Sequence, residues 1–440
     1  MLMGIANLGE NMNAKDWISD PKVIEKSKKG YAHFDLRMDI SKASGYVTNP
    51  DKVAHHGFYP FIHYVMKINK YNKQKGKKSK EREICYAAHI DRCIYQFYSA
   101  ILNESYNLYL DKEGIDSVSV AYRTNLQKSN IHIAKEAFDY IRELGDAYVM
   151  IGDFTGFFDN LDHEYLKRQW CTVMRFDTLP EDHYAVFKNV TKYSTWELED
   201  LLKITSLNLK EFNKRRIALD KTEYRKNRKH ISKNTKSYQI PQGSPISAVL
   251  ANIYMIDADK YVNEYVTSLG GIYRRYSDDF IVVIPKKDNT IFVMEQVINI
   301  LRKTPRLQLE PNKTQIFEIQ EQIIENVGDK LLSDADNSKK VINFLGFTFD
   351  GKNIMVRSKT IGKYYYRMYR KAKSISKNPH LEGKANLYKK YSVHGATAKV
   401  GNFFTYIMHA EDAFGEDELI YRDLKNHIPK IRRALNNSKK

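Results

Sequence analysis

The chain has 440 residues, enough to bury a large core and to form two or three lobes. Its formal net charge is +18 at pH 7, with Lys and Arg spread along the whole length, so this is no basic tail on a neutral domain; the partner to expect is a polyanion, nucleic acid before an anionic membrane surface. The three cysteines, Cys85, Cys93 and Cys171, lack metal-ligand spacing, which argues against a disulfide framework or a zinc site. With no basic-then-apolar leader and no run of membrane-spanning length, the expectation is a cytoplasmic protein with reduced thiols and no membrane association.

In chain order, residues 1–50 are mixed and mostly polar and suggest no task. Phe58 to Asn72 looks like an apolar segment entering a strand, and Lys73 to Arg82 is a basic turn around Gly76, either solvated or turned toward phosphates. Tyr86 to Leu110 carries Ile90, Ile94, Phe97, Ile101 and Leu102 at helical spacing. Ser117 to Arg123 alternates like a strand, and Asn130 to Leu144 returns to helical spacing. The apolar strand Ala147 to Ile151 opens onto Gly152-Asp153, a usual setting for a metal ligand. Asp159 and Asp162 better suit a helix cap, and His163 a helix start.

Residues 164–210 read as helical, with Trp170 and Trp196 in a core. Residues 214–236 form a dense basic run, including Lys226, Arg228 and Lys229, that points to nucleic-acid backbone contact rather than a mixed solvated face. Pro241-Gln-Gly-Ser-Pro245 is a rigid turn ahead of a helix from Ser247 to Tyr261, where backbone amides can approach a ligand. The hairpin Gly271 to Ile284 follows, with Tyr276-Ser-Asp-Asp279 at its tip. Adjacent carboxylates beside an apolar strand are readily explained by a bound hard cation, although Ser-Asp-Asp is also ordinary turn chemistry. After a helix from Ile291 to Leu301, Leu307 to Phe317 reads as strand, turn and strand with Lys313 in the turn. Asn343 to Phe349 is an aromatic hairpin arm, and residues 360–440 form a helical lobe rich in Tyr, Lys and Arg. The 31 tyrosines suit base stacking as a group, while any one of them is as readily a core residue.

Four sites thus occur in a fixed order: Asp153 after a strand, the Pro-Gln-Gly turn, the Ser-Asp-Asp hairpin, and Lys313. This order resembles the palm of reverse transcriptases over roughly residues 80–350. Arg274-Arg-Tyr-Ser-Asp-Asp-Phe280 and Pro241-Gln-Gly-Ser-Pro-Ile-Ser247 look most like the bacterial group of retron enzymes, group II intron maturases and abortive-infection or defence-associated enzymes.

The resemblance implies an α+β right-hand polymerase. Residues 1–79 would be an N-terminal extension and the start of the fingers, 80–349 the fingers and a palm of antiparallel sheet with packed helices, and 350–440 a small α-helical thumb. It implies an RNA-directed DNA polymerase adding dNTPs to a primer 3′-hydroxyl. Asp153, Asp278, Asp279 and the Phe154 carbonyl would hold two Mg²⁺ ions, with Mn²⁺ as a substitute. Lys313 would protonate the leaving pyrophosphate. Arg123, with Arg82 second, would grip the triphosphate, and Gln242 and Gly243 would floor the nucleotide pocket. Phe158 would exclude a 2′-hydroxyl, and Phe344, Leu345 and Gly346 would form the primer grip.

The partners implied are an RNA template or noncoding RNA, the DNA product and dNTPs, with room for a homo-oligomer or a companion protein. The long basic connection before Pro241 would be an RNA-binding insertion, and the lack of zinc-finger, His-Asn-His or RNase H patterns favours a compact polymerase on a dedicated RNA; the resemblance to the defence-associated group implies a role in antiphage defence. The alternatives are a maturase-type RNA-binding protein, a template-independent or protein-primed DNA polymerase, and an RNA-dependent RNA polymerase, against which Phe158 argues.

Overall fold

The computed structural model describes residues 14–72, 76–332, 337–377, 381–398 and 401–437. Residues 1–13 and the first three residues of the expected basic turn, Lys73 to Lys75, fall outside these, while its remainder, Gly76 to Arg82, is strand rather than turn. In chain order the strands are β1 (Phe61–Asn72), β2 (Gly76–Tyr86), β3 (Ala147–Gly152), β4 (Ser194–Glu197), β5 (Ser232–Lys233) and β6 (Ile272–Tyr276). They continue as β7 (Asp279–Pro285), β8 (Gln315–Gln320), β9 (Ile323–Asn326), β10 (Ile342–Phe344), β11 (Phe347–Phe349) and β12 (Ile354–Val356). The chain forms two units: Met1–Asp116 with Thr155–Tyr261 and Leu301–Gln308, and Ser117–Phe154 with Val262–Ile300 and Leu309–Lys440.

In the first unit a four-stranded sheet has the order β2-β1-β4-β5. β1 and β2 pair antiparallel from Ile62↔Tyr86 to Asn72↔Gly76, and β4 lies parallel to β1 through Ile62↔Trp196. Ile62, Phe34, Trp196, Leu201 and Phe212 are buried together, with the Trp196 ring 5.2 Å from Phe34. Each such side chain removed from water stabilises the fold by roughly 1.5–3 kcal/mol. Helix His89–Lys112 has no side-chain cap of its own. The Asp35 carboxylate takes that role from a distance, accepting the His89 and Ile90 amides at 2.9 and 2.8 Å. Asp162 caps helix His163–Met174 through the Tyr165 amide, so His163 does start a helix. Cys85 and Cys93 are buried and Cys171 half-buried, all free thiols.

The second unit is built on a five-stranded antiparallel sheet, β6-β7-β3-β8-β9. Every residue of the central strand β3 is buried. Val149 and Ile151 on β3, Ile281 and Val283 on β7 and Phe317 and Ile319 on β8 share one face, where the apolar side of helix Asn130–Leu144 packs through Ala134, Phe138 and Ile141. The small sheet β10-β11-β12 closes the same core, its Phe349 ring stacked 5.4 Å from Phe138. Helices Ser358–Lys377, Leu381–Tyr391, Phe403–Phe414 and His427–Asn437 follow. Met368, Ala372, Ile375, Leu387 and Ile431 form a small core among them.

Some expected elements differ. Ser117 to Arg123 is no strand; Ser119 makes a single parallel bridge with Arg275, and Tyr122 turns at φ +67°. Leu309 likewise makes only a bridge, to Phe154. The helix expected from Ser247 to Tyr261 breaks at Met255 into Ser247–Tyr254 and Ile256–Ser268. Trp196 sits in β4 rather than in a helix. Among the described residues no helix is long and apolar enough to cross a membrane.

Candidate active site

The register of the central sheet positions the acidic residues. β3 pairs with β7 up to Gly152↔Phe280, so Asp153, the residue just past the end of β3, comes beside Asp279, the first residue of β7. Gly152 is required there. A Cβ at this position would lie 2.2 Å from Cζ of Phe280, whose buried ring covers the strand just before Asp153. On the other side β6 and β7 pair through Tyr276↔Asp279, leaving Ser277 and Asp278 as a two-residue turn. Ser277 adopts φ +62°, the left-handed conformation such a turn needs at its first position and glycine usually supplies.

The electrostatics follow from this crowding. The Asp279 carboxyl reaches solvent, yet it is pushed up to about 7 by desolvation and then by the charges of Asp278 and Asp153, with Lys313 and Arg357 opposing. Lys313 donates its ammonium to Asp153 Oδ2. Burial alone would lower the Lys313 pKa, but the bond to Asp153 and the charges of Asp153, Glu310 and Asp278 raise it. The Glu310 amide donates to the Asp153 carbonyl at 2.7 Å, and the Lys313 and Thr314 amides close the turn on the Glu310 carbonyl at 3.0 and 2.9 Å. The Lys313 turn is therefore fastened to the end of β3.

The site gathers negative charge strongly enough to draw in an ammonium, which suits a cation. Among the described residues no three His, Cys, Asp or Glu are arranged as a ready metal cage. Mg²⁺ does not require one, because it is commonly held by one or two carboxylates with substrate phosphates and water. The donor set fits such an ion.

The other predicted residues of this unit have distinct places. The Phe154 ring is buried 5.7 Å from Phe280, and its backbone bridges Leu309. Arg123 is buried, with Nη1 donating to the Ser119 carbonyl at 2.9 Å. Phe344 is buried in the core, while Leu345 (φ +46°) and Gly346 (φ +97°) turn the β10–β11 hairpin. Asn130 Nδ2 donates to the Leu345 carbonyl at 2.9 Å, and the Arg357 amide to the Gly346 carbonyl at 3.0 Å.

Four predicted nucleotide residues belong to the first unit. The half-buried Phe158 accepts the Ile240 amide on its carbonyl at 3.1 Å, and the Gln242 carbonyl accepts the Cys85 amide at 2.7 Å. Gly243 has φ +106°, and a Cβ there would stand 2.5 Å from the Cys85 carbonyl, so the turn lies directly against β2. Gln242 shares a cavity of about 310 Å³ with Glu83, Asp159, Glu197, His63 and Lys233. Burial, then the charge of Glu83, raises the Asp159 pKa against the pull of Lys236. Arg82 is exposed on β2 opposite Met66, and Lys226, Arg228 and Lys229 are exposed on helix Lys221–Asn227 and the turn after it.

Sequence reasoning missed Arg275, Ser119, Tyr122 and Arg357 around the acidic turn. Only Arg275 left a signal: it shares the parity of Tyr273 in an alternating strand, and both are fully buried.

Residues 71–349 match the family described as Reverse transcriptase (RNA-dependent DNA polymerase). The chain belongs to that family of nucleotidyltransferases, whose enzymes copy RNA into DNA with divalent metals, and its fold is α+β of the right-hand polymerase type. No curated protein matches the chain. Among solved structures it is similar to a telomerase from Candida albicans in complex with a fragment of telomeric RNA, at 14% identity and a TM-score of 0.41, covering 90% of this chain and 66% of that one. It is also similar to an apo telomerase from Candida tropicalis truncated from its C-terminal domain, at 12% identity and a TM-score of 0.41, covering 72% of this chain and 59% of that one. The chain thus spans less than two thirds of the length of either.

Proposed function

We propose that this chain extends a primer 3′-hydroxyl with dNTPs on an RNA template, and that its template is a dedicated noncoding RNA serving antiphage defence. The observation that carries the polymerase reading is the β3–β7 register, which sets Asp153 against the Ser277–Asp278–Asp279 turn with Lys313 alongside. Asp153 and Asp278 would hold two Mg²⁺ ions, with Asp279 and the Phe154 carbonyl beside them. Bound there, the ions supply Lewis acidity toward the attacking hydroxyl and the triphosphate.

The chain's own groups do the rest. Lys313, already drawn to the carboxylates as an ammonium, is the proton donor for the departing pyrophosphate. The family resemblance assigns Gln242 and Gly243, whose turn lies against β2, to the floor of the nucleotide pocket, and Arg123 and Arg82 to the phosphates. Phe158 is the sugar gate. The exposed Lys226, Arg228 and Lys229 meet RNA phosphates, and residues 350–440 act as the thumb. The defence assignment is supported by the likeness of Arg274 to Phe280 and Pro241 to Ser247 to the bacterial retron and abortive-infection group.

The test incubates the purified chain and its co-purifying RNA with labelled dNTPs or NTPs. Asp278→Ala and Asp279→Ala should each lower dNTP incorporation by roughly 10³-fold, the loss of several kcal/mol of charge stabilisation. In the same assay Phe158→Ala should admit NTPs. RNA retention by a wild-type chain that incorporates nothing would favour a maturase-like binding role instead. Sequencing the bound RNA and the product identifies the template.

A further inference from the structure

The tip of the β6–β7 hairpin holds a non-glycine residue in the left-handed region, and such conformations persist only where neighbours over-determine them. Ser277 is buried, and two side chains hold it. Arg275 Nη1 donates to the Ser277 carbonyl at 2.9 Å, and Tyr122 Oη donates to Ser277 Oγ at 3.3 Å. Arg275 has no solvent-accessible surface, although arginine is almost never fully buried. Its Nη2 donates to Ser119 Oγ at 3.1 Å. Its backbone is tied to the same segment: the Arg275 amide donates to the Val118 carbonyl at 2.8 Å, and the Val120 amide to the Arg275 carbonyl at 3.1 Å. Arg123 in turn donates to the Ser119 carbonyl, which fixes that segment from its far end.

One guanidinium therefore spans two acceptors, one inside the turn that carries Asp278 and one on the segment Val118–Val120 beside it. The planar fork of arginine can satisfy both at once, whereas a lysine ammonium at the end of a flexible stem cannot reproduce that geometry. We propose that Arg275 is a positioning residue: by clamping the Ser277 carbonyl to Ser119 it sets the direction in which the Asp278 and Asp279 carboxylates leave the turn, and so the affinity of the site for its divalent ions. This rests on the reading of Asp278 and Asp279 as metal-holding carboxylates. Groups that orient metal ligands in this way typically change metal affinity by about 10- to 100-fold when removed.

The experiment compares wild type, Arg275→Lys, Arg275→Met, Ser119→Ala and Asp278→Ala. Each is followed by thermal melting, by binding of Mn²⁺ alone in electron paramagnetic resonance, by binding of an RNA–DNA hybrid, and by dNTP incorporation against Mg²⁺ concentration. Arg275→Lys should weaken Mn²⁺ binding and raise the Mg²⁺ needed for half-maximal incorporation by about tenfold. Its hybrid affinity should stay at the wild-type level, and Arg275→Met should be worse in both metal readouts. Ser119→Ala leaves the Arg275–Ser277 bond in place and should shift both readouts in the same direction by a smaller factor, which keeps the idea testable if the Arg275 variants do not fold. Wild-type metal dependence in a folded Arg275→Lys or in Ser119→Ala would overturn the proposal. So would a loss of metal binding, hybrid binding and melting temperature in common proportion, which marks a merely structural role. Undiminished Mn²⁺ binding and incorporation by Asp278→Ala would sink the underlying reading instead, a separate result.

Discussion

Gly152 shows how little room the end of β3 allows. A methyl group at this position meets the ring of Phe280 at 2.2 Å, and that ring is itself enclosed. Gly152→Ala should therefore cost about 1–3 kcal/mol of stability through overpacking, read as a lower urea midpoint. Relief by displacement of β3 moves Asp153, so dNTP incorporation should fall more than stability does under conditions where the variant is fully folded. A variant with wild-type midpoint and wild-type incorporation would show that the ring yields freely and that the strand end is not held by it. Lys313 illustrates the opposite principle at the same scale. Its charge is wanted beside Asp153, and the local turn on Glu310 delivers it there.

Among elements, the β10–β11 hairpin depends on a residue far from it in the chain. Asn130, at the start of helix Asn130–Leu144, donates to the Leu345 carbonyl at 2.9 Å and to Tyr406 Oη at 3.0 Å. Asn130→Ala removes both bonds and should destabilise the fold by about 1–3 kcal/mol. If the Leu345–Gly346 turn grips the primer, the variant should also raise the primer concentration needed for half-maximal extension while leaving the dNTP requirement alone; equal changes in both would assign the turn a different task. The elements themselves were readable where one face repeats. Helix Asn130–Leu144, the buried strand β3 and the hairpin at Tyr276 to Asp279 all follow from local pattern. Ser117 to Arg123 alternates just as well but pairs with β6 at a single bridge, because its groups are spent on Ser277, Arg275 and a turn at Tyr122. That use depends on partners some 150 residues away, which no local window contains. The acidic residues were legible as a set because strand ends and tight turns expose them in order; the clamp behind them was not, since a buried arginine looks in sequence like any other cation.

For the molecule as a whole, the buried histidines give the acid response a definite sign. Burial lowers His33 to about 3 and His183 to about 4, both in the first unit. In the unfolded chain they titrate near the ordinary value of 6.5, so between that value and about 4 the unfolded state binds more protons than the folded one. Their contribution is full above pH 6.5 and is lost progressively as pH falls through this window. Urea midpoints should therefore decline from pH 6.5 to 4, and the decline should be shallower in a His33→Gln, His183→Gln double variant. An unchanged slope would place the acid sensitivity elsewhere.

Burial of the thiols has a practical consequence. It pushes Cys85 up to about 12 and Cys93 up to about 11, so neither forms thiolate to any extent at neutral pH. Cys171, on helix His163–Met174, is also raised by burial but remains partly open to solvent. A maleimide dye therefore has a single addressable handle on the unaltered chain, and fluorescence work can begin without first replacing any cysteine.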